Sequence, residues 1–210
     1  MQTETRPTPD LAAPIPDDRD PVLDAALAGF LDFGIRRTSM GEIARRAGIS
    51  PATLYRRYAA KSDVVMAVGM REANRDIAAV DARIDPTAPP LEQLTRMYLE
   101  VEHRISSNKL LRRVIETEPE SVLPRLTVEA GPPLEIGRSY LADFLVRLQR
   151  DGHVPSYDVG PVADWLARQA QSSMLTPAPV PLTEEAVRDF VRRHLAPFVG
   201  ITADGKEGTR

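Results

Sequence analysis

Two helix-start signals follow each other closely in this sequence, and they constrain its fold more than any other feature. Ser39 and Glu42 form a capping box, in which a hydroxyl and a carboxylate satisfy the first backbone N–H groups of a helix. Ser50 followed by Pro51 repeats the start signal for a second short helix. Gly48 lies between them, where glycine readily adopts the left-handed backbone of a tight turn. The pattern predicts a helix-turn-helix.

Charge is distributed unevenly along the chain. The formal net charge is −3, yet residues 36–61 carry seven basic side chains against one acid, Glu42. The basic residues are Arg36, Arg37, Arg45, Arg46, Arg56, Arg57 and Lys61. A compact basic segment on an otherwise acidic chain is typical of phosphate binding by one end of a molecule, whereas a solvated basic face is the ordinary alternative. Charge alone does not decide between the two.

The remaining apolar patterns favour helices, and no stretch alternates with the period of two that a strand requires. A first helix is expected to begin at Asp20-Pro21 and to end at Gly34. Its predicted buried face consists of Val22, Ala25, Ala26, Phe30 and Phe33. A longer helix follows from about Ser62 into the low eighties. Further helices are expected over residues 91–107, 110–116, 133–150, 158–174 and 183–199. The sequence therefore predicts an all-α fold.

Features of other protein classes are missing from the sequence. Cysteine is absent, which excludes a disulfide scaffold, a thiolate metal site and a cysteine nucleophile, and which fits a cytoplasmic protein. We expect no signal peptide in the first twenty residues, which lack an apolar run, and no membrane helix, because no apolar stretch of about 20 residues occurs. The histidines are scattered over separate predicted elements, and no phosphate-binding loop or nucleophile motif occurs. We expect no metal site, no cofactor, no membrane association and no enzymatic activity.

The segment over residues 37–61 reads RTSMGEIARRAGISPATLYRRYAAK and closely resembles the amino-terminal module of the TetR family. It has that family's Thr and Ser before an Ile-Ala pair, then Ala-Gly, an aliphatic residue, Ser and a Thr-Leu-Tyr core. An aromatic residue and Lys61 close the pattern. The resemblance covers about fifty residues with the preceding helix included. It implies an all-helical protein that carries a three-helix DNA-binding domain and a larger helical domain for dimerisation and ligand binding.

The resemblance also implies a division of the chain. We expect a disordered arm over residues 1–18 and a helix-turn-helix DNA-binding domain over residues 19–64. A helical ligand-binding and dimerisation domain is expected over residues 65–200, followed by a flexible tail over residues 201–210. The expected function is that of a ligand-responsive repressor, which binds a palindromic DNA operator as a homodimer and responds to an unknown small-molecule effector.

The second helix of the motif is expected to enter the major groove of DNA, which is wide enough for one helix. Its amino end then faces the base edges. Thr53 can form a hydrogen bond with a base, and Pro51 and Ala52 suit the methyl group of thymine. These residues are the predicted base contacts.

Other side chains of the module are expected to contact the DNA backbone. Tyr55 and Lys61 suit phosphate contacts, and Ser39 combines a hydroxyl with the amino end of a helix. Arg56 and Arg57 are adjacent, so one can reach guanine while the other follows the backbone. The sequence does not show which of the two does so.

The later helices carry two further hypotheses. An apolar ligand pocket is one interpretation of five residues, although ordinary core packing explains the same helical spacing: Tyr98, Tyr140, Phe144, Trp165 and Met174. A dimer interface is the interpretation of the apolar stripes on the last two helices: Val162, Leu166, Ser173, Val187, Phe190, Val191, Leu195 and Phe198.

One alternative of another class stays open at this point. The chain can be a helical ligand-sensing or partner-binding protein in which DNA binding is vestigial. An enzyme is a distant third hypothesis, because the sequence lacks a convergent acid–base set.

Overall fold

The computed structural model describes residues 19–128, 130–176 and 183–201, and every regular element in these ranges is helical. The elements are α1 (Pro21–Phe33), α2 (Met40–Arg46), α3 (Pro51–Arg57), α4 (Lys61–Asp81), α5 (Pro90–Ser107), α6 (Lys109–Thr117), α7 (Pro119–Leu126), α8 (Gly131–Arg150), α9 (Val159–Leu175), α10 (Glu184–Phe190), a π-helical turn (Val191–Leu195) and α11 (Ala196–Phe198). The all-α prediction is confirmed. The predicted arm over residues 1–18 and the tail beyond residue 201 lie outside the described residues.

The predicted start signals of α1, α2 and α3 operate as hydrogen-bonded caps. The carboxylate of Asp20 accepts from a backbone N–H of α1, and the hydroxyls of Ser39 and Ser50 do the same for α2 and α3. One half of the predicted capping box is wrong: the Glu42 carboxylate does not turn back to residue 39. It binds the guanidinium groups of Arg45 and Arg46, because two cations on the next turn attract it more strongly than one backbone N–H.

A hydrophobic core joins α1, α2, α3 and the first turns of α4, which we call the N-terminal module. Phe30, Ile43, Leu54 and Val64 are almost completely buried in it. Phe33, which was predicted to face this core, is 48% exposed, and the guanidinium of Arg46 lies over its ring at 5.1 Å. The ring extends past the end of the core, where a cation rather than apolar side chains covers part of it.

A second core fills the C-terminal region, which comprises α5 to α11. Leu94, Phe144, Leu145 and Val191 are buried at its centre. The helix α4 belongs to both cores, since its Val64 and Val68 pack in the N-terminal module and its Val80 packs in the C-terminal region. The predicted boundary after residue 64 therefore falls inside one continuous helix, and it stays a prediction.

Two details of the C-terminal region were not predicted. The helix α7 lies between the predicted helices over residues 110–116 and 133–150, where no helix was expected. Pro119 starts this helix, which fits the preference of proline for the first helical turn. The last predicted helix contains the π-helical turn before α11, where Pro197 cannot donate a backbone hydrogen bond.

The helix α6 and its junction with α7 pack on the N-terminal module. Val114 is buried in the core of that module. The guanidinium of Arg113 donates to the carbonyl oxygen of Leu31 at 2.5 Å, and the Glu118 carboxylate accepts from the backbone N–H of Arg36 at 2.8 Å. The end of α1 is thus held by residues that follow it by about eighty positions. Across the described ranges, no helix is both long enough and apolar enough to cross a membrane.

Candidate nucleic-acid interface

The helix α3 presents most of its surface to solvent. Leu54 is its one fully buried residue and packs into the core of the N-terminal module. Pro51, Ala52, Tyr55 and Arg56 are exposed. Among them, Tyr55 keeps 53% of its surface free although its ring is large and partly apolar. A helix anchored by one leucine and otherwise free has the shape that insertion into a DNA groove requires.

The amino end of α3 places the predicted base contacts on one turn, where Pro51 and Ala52 are exposed and Thr53 is half-buried. The Ser50 hydroxyl accepts from the Thr53 backbone N–H at 3.1 Å and lies 2.9 Å from the Thr53 hydroxyl. Thr53 is therefore held in one orientation while part of its hydrogen-bonding capacity stays free. Pro51 and Ala52 lie on the preceding positions and are exposed.

Ser39 is exposed at the amino end of α2. Its hydroxyl oxygen accepts from the backbone N–H of Glu42 at 3.1 Å. The hydroxyl hydrogen is not used in this cap, so the same side chain can donate to a phosphate. Capping and the predicted phosphate contact are therefore compatible.

Lys61 has a structural role that sequence reasoning missed. Its ammonium donates to the carbonyl oxygens of Ile35 and Arg36, at 2.9 and 3.2 Å. These bonds tie the start of α4 to the loop between α1 and α2. An ammonium has three donors, so one remains for the predicted phosphate contact.

The two adjacent arginines at the end of α3 differ sharply in their surroundings. The Arg57 guanidinium lies 2.5 Å from the carboxylate of Asp20 and 5.6 Å from the centre of the Tyr58 ring. Arg56 is exposed, and no residue in the described part of the chain pairs with it. The structure thus separates two side chains that the sequence left equivalent.

Much of the positive charge in this segment is already neutralised within the chain. Arg45 and Arg46 share the Glu42 carboxylate, and their guanidinium groups lower the pKa of Glu42. Arg46 also reaches Asp32 at 2.8 Å, and Arg36 reaches Glu120 at 3.3 Å. The electrostatic footprint is therefore smaller than the count of basic residues suggests.

The residues of the hypothetical ligand pocket do not share one environment. Phe144 is 1% exposed in the C-terminal core, and Tyr98 and Tyr140 pack against the same core. Burial raises the pKa of the Tyr140 hydroxyl. Met174 is half-buried. Trp165 is 47% exposed, so its ring lies at the surface of the region rather than among these side chains.

The apolar stripes of the last helices are partly buried within the chain and partly exposed to solvent. Leu166, Val187, Val191 and Leu195, which were predicted to lie at a dimer interface, are buried within this chain. The prediction is wrong for these four because α5 and α8 supply enough apolar surface to cover them. The exposed remainder comprises Trp165, whose ring lies 4.8 Å from that of Phe198, and Phe190, whose ring lies 5.7 Å from that of Tyr98.

The N-terminal module matches a known protein family. Residues 22–68 match the model described as bacterial regulatory proteins, tetR family. An uncharacterized HTH-type transcriptional regulator of Mycobacterium bovis is 29% identical over 153 residues, which cover 73% of this chain and 78% of that protein. A regulator of the same description from Mycobacterium tuberculosis matches over the same shares.

Solved structures share the fold at lower identity. The TetR family repressor AlkX from Dietzia sp. strain DQ12-45-1b is 19% identical with a TM-score of 0.66, and the match covers 88% of this chain and 98% of that one. The transcriptional repressor QsdR of R. erythropolis is 19% identical with a TM-score of 0.64, covering 90% and 98%. The N-terminal module, with its capped helices and exposed α3, thus matches the helix-turn-helix module of the tetR family of bacterial regulatory proteins, and the chain shares its fold with TetR family repressors.

Proposed function

We propose that this regulator is a homodimeric, ligand-responsive repressor, which binds a palindromic operator in the bacterial cytoplasm with α3 of each subunit in a major groove. The observation that carries the proposal is the exposure of α3, which is fixed to the protein through Leu54 and free on its other sides. A palindromic site matches the two-fold symmetry of a dimer.

The proposed base contacts come from the first turn of α3 and from one arginine. Thr53 is oriented by Ser50 at 2.9 Å, and Pro51 and Ala52 offer small apolar groups to thymine methyls. Arg56 is the unpaired guanidinium of this helix within the described residues. The proposed phosphate contacts are Ser39, Tyr55 and Lys61.

The proposed dimer interface contains the exposed aromatic pair of Trp165 and Phe198 together with the exposed Phe190. Three large aromatic rings, each at least 39% exposed, lie on α9 and on the final helical segment. Aromatic residues are enriched at the centres of protein interfaces because they bury much apolar area with little loss of conformational entropy. Packed against their two-fold mates, these rings would form a helical interface.

The proposed response to ligand rests on α4. This helix belongs to both cores, so a ligand that changes the packing around Val80 also changes the angle of the N-terminal module. A ligand that prefers one spacing of the two modules then shifts the population away from the state that fits DNA. Tyr98, Tyr140, Phe144 and Met174 remain the proposed surroundings of that ligand.

A shift assay on the DNA upstream of the protein's own gene tests the proposal. We expect salt-dependent binding by a dimer, with log K falling by about 0.9 for each log unit of salt per phosphate contacted. Native mass spectrometry of the same sample gives the stoichiometry. A monomer at micromolar concentration contradicts the dimer, and the absence of any salt-dependent binding favours the alternative of a ligand-sensing protein.

Two substitutions separate base contacts from phosphate contacts. Thr53→Ala is expected to change the preference among operator bases, by roughly fivefold to tenfold at one position. Lys61→Ala is expected to weaken binding to all sequences and to make the salt dependence shallower. Equal losses on every operator for Thr53→Ala would falsify its reading role.

A further inference from the structure

Asp20 lies at the meeting point of three helices. Its side chain is 3% exposed, although aspartate is rarely buried unless its charge is partnered. One carboxylate oxygen accepts from the Val22 backbone N–H at 2.9 Å and so caps α1. The other accepts from the Arg57 guanidinium at 2.5 Å and from the Tyr58 hydroxyl at 3.1 Å. A cap for α1 is thus also a bond to the end of α3.

The backbone of the same residue binds α4. The Asp20 carbonyl oxygen lies 3.4 Å from Nη1 of Arg71, whose side chain is 1% exposed. Arg71 is held further by the carboxylates of Asp24 at 2.9 Å and Glu72 at 3.1 Å. A buried guanidinium keeps its position only while such anions and carbonyls surround it. The chain of contacts therefore runs from α4 through Asp20 to α3.

Packing alone leaves the direction of α3 weakly determined. The helix spans Pro51–Arg57, and Leu54 is its only buried residue. A single apolar anchor fixes where a short helix sits but resists its rotation poorly. Charge-assisted hydrogen bonds at the far end of the helix supply a second point of attachment.

We propose that Asp20 is a positioning residue for DNA recognition. It fixes the carboxyl end of α3 relative to α4, and it holds Arg57 on the protein so that Arg56 is the arginine of α3 that reaches DNA. The inference rests on the proposed DNA interface and deepens it, because it assigns different roles to the two adjacent arginines.

The first test compares Asp20→Asn with Asp32→Asn. Asparagine retains the size of the side chain and an oxygen for the cap, but it cannot form the ion pair with Arg57. The control Asp32 lies on the same helix, is exposed and pairs with Arg46, so its substitution removes the same charge without touching Arg57 or Arg71. DNA affinity is measured at several salt concentrations on the operator and on unrelated DNA.

For Asp20→Asn we expect the ratio of operator to unrelated affinity to fall by about tenfold, which is the contribution of one good base contact. We also expect the salt slope to steepen by about 0.9 for each subunit, because the released Arg57 becomes available to a phosphate. Asp32→Asn is expected to leave the ratio and the slope as in the unmodified protein. Equal changes in both variants would show a general charge effect and overturn the proposal.

The second test approaches the same contact from α3. Arg57→Gln is expected to lower the affinity ratio while the salt slope stays that of the unmodified protein, since Arg57 contacts no phosphate there. In the double variant with Asp20→Asn, the slope is expected to return to the unmodified value. If the salt slope of the single variant Arg57→Gln is shallower by about 0.9 per subunit, Arg57 contacts a phosphate in the unmodified protein. That result would overturn the proposed role of Asp20.

These outcomes stay distinguishable from failure of the proposed function. If the unmodified protein binds no DNA, the interface itself is wrong, whereas binding with unchanged ratios in the variants contradicts only the role of Asp20. Circular dichroism melting accompanies each variant. If Asp20→Asn does not fold, the salt slope of DNA binding by Arg57→Gln is sufficient to test the proposed role of Asp20.

Discussion

The N-terminal module and the C-terminal region differ in how regularly their helices begin at side-chain caps. In the module, α1, α2 and α3 each begin at a cap, supplied by Asp20, Ser39 and Ser50. In the C-terminal region, α6, α9 and α10 begin at caps, whereas α5, α7 and α8 begin without one. Local hydrogen bonds therefore define every helix start from α1 to α3, where a small module must hold an exposed helix. The larger region combines capped starts with starts that depend on packing.

Helix starts are easier to predict from the sequence than the partners of buried surfaces are. A cap acts between residues two or three positions apart, so the sequence displays it directly. A buried stripe indicates only that a partner surface exists, and the partner can be another helix of the chain or another subunit.

The first prediction compares Leu54→Ala with Leu145→Ala, two completely buried leucines in the two cores. Each substitution is expected to lower the free energy of unfolding by about 2–5 kcal/mol, because it leaves a cavity in a packed core. Leu54→Ala is also expected to abolish DNA binding, since it removes the anchor of α3. Leu145→Ala is expected to spare the affinity of the folded fraction. Urea unfolding and a shift assay measure both quantities, and full affinity in Leu54→Ala contradicts the anchoring role.

The second prediction concerns Gly34, where the end of α1 meets the C-terminal region. Its φ is +87°, and a Cβ added there would lie 2.1 Å from the carboxylate of Glu118. Gly34→Ala is expected to cost about 2–3 kcal/mol of unfolding free energy, from backbone strain together with displacement of that carboxylate. The matched control is Gly48→Ala, which has φ +69° but open space around it, so about 1 kcal/mol of strain is expected. Equal costs would show that the contact with Glu118 contributes nothing.

The third prediction tests the caps themselves. Ser50→Ala removes the hydroxyl that accepts from Thr53 at 3.1 Å, and it is expected to cost about 1 kcal/mol. DNA affinity is expected to fall as well, because α3 begins at this residue. Ser172→Ala is the control, since Ser172 lies exposed within α9 and alanine favours a helix there. Thermal melting of both variants compares a local cap with an ordinary surface serine.

The fourth prediction is the smallest and concerns pH. Burial raises the pKa of Asp76 on α4, and the Arg104 guanidinium at 3.7 Å offsets this only in part. A raised pKa means that the folded protein holds the proton more tightly than the unfolded chain does. The favourable contribution is therefore present below the ordinary pKa and is lost as the pH rises through the folded value.

Asp76→Asn is consequently expected to stabilise the protein near neutral pH, by about 0.5 kcal/mol, with the gain disappearing in acid. Urea unfolding across a pH series measures the difference between the variant and the unmodified protein. A loss of stability at neutral pH would show that the ion pair with Arg104 outweighs burial.

Sequence reasoning succeeded for the elements that short-range chemistry defines and failed where distant residues compete. The starts of α1, α2 and α3 were predicted correctly because Asp20, Ser39 and Ser50 cap the residues that follow them. The inward orientation of Phe33 was wrong because helical periodicity continues past the point where the core ends. The burial of Leu166 inside the chain was missed because a stripe does not identify its partner.

Among the predicted DNA contacts, the sequence could establish which residue types lie on α3 but not which of them are free. Lys61 and Arg57 resemble Arg56 in the sequence, yet the structure engages the first with backbone carbonyls and the second with a buried carboxylate. The acceptors are Ile35 and Asp20, which precede their donors by tens of positions. No local sequence pattern predicts a contact between residues so far apart in the chain.

The helix-turn-helix, its two capped starts and the glycine turn between them are predictable from the amino-acid sequence, because caps and left-handed turns depend on a few consecutive residues. The folded chain is needed to establish which cations remain available, how α6 and Glu118 hold the end of α1, and that Asp20 joins α3 to α4. Those contacts depend on the distances between side chains that folding brings together from separate helices.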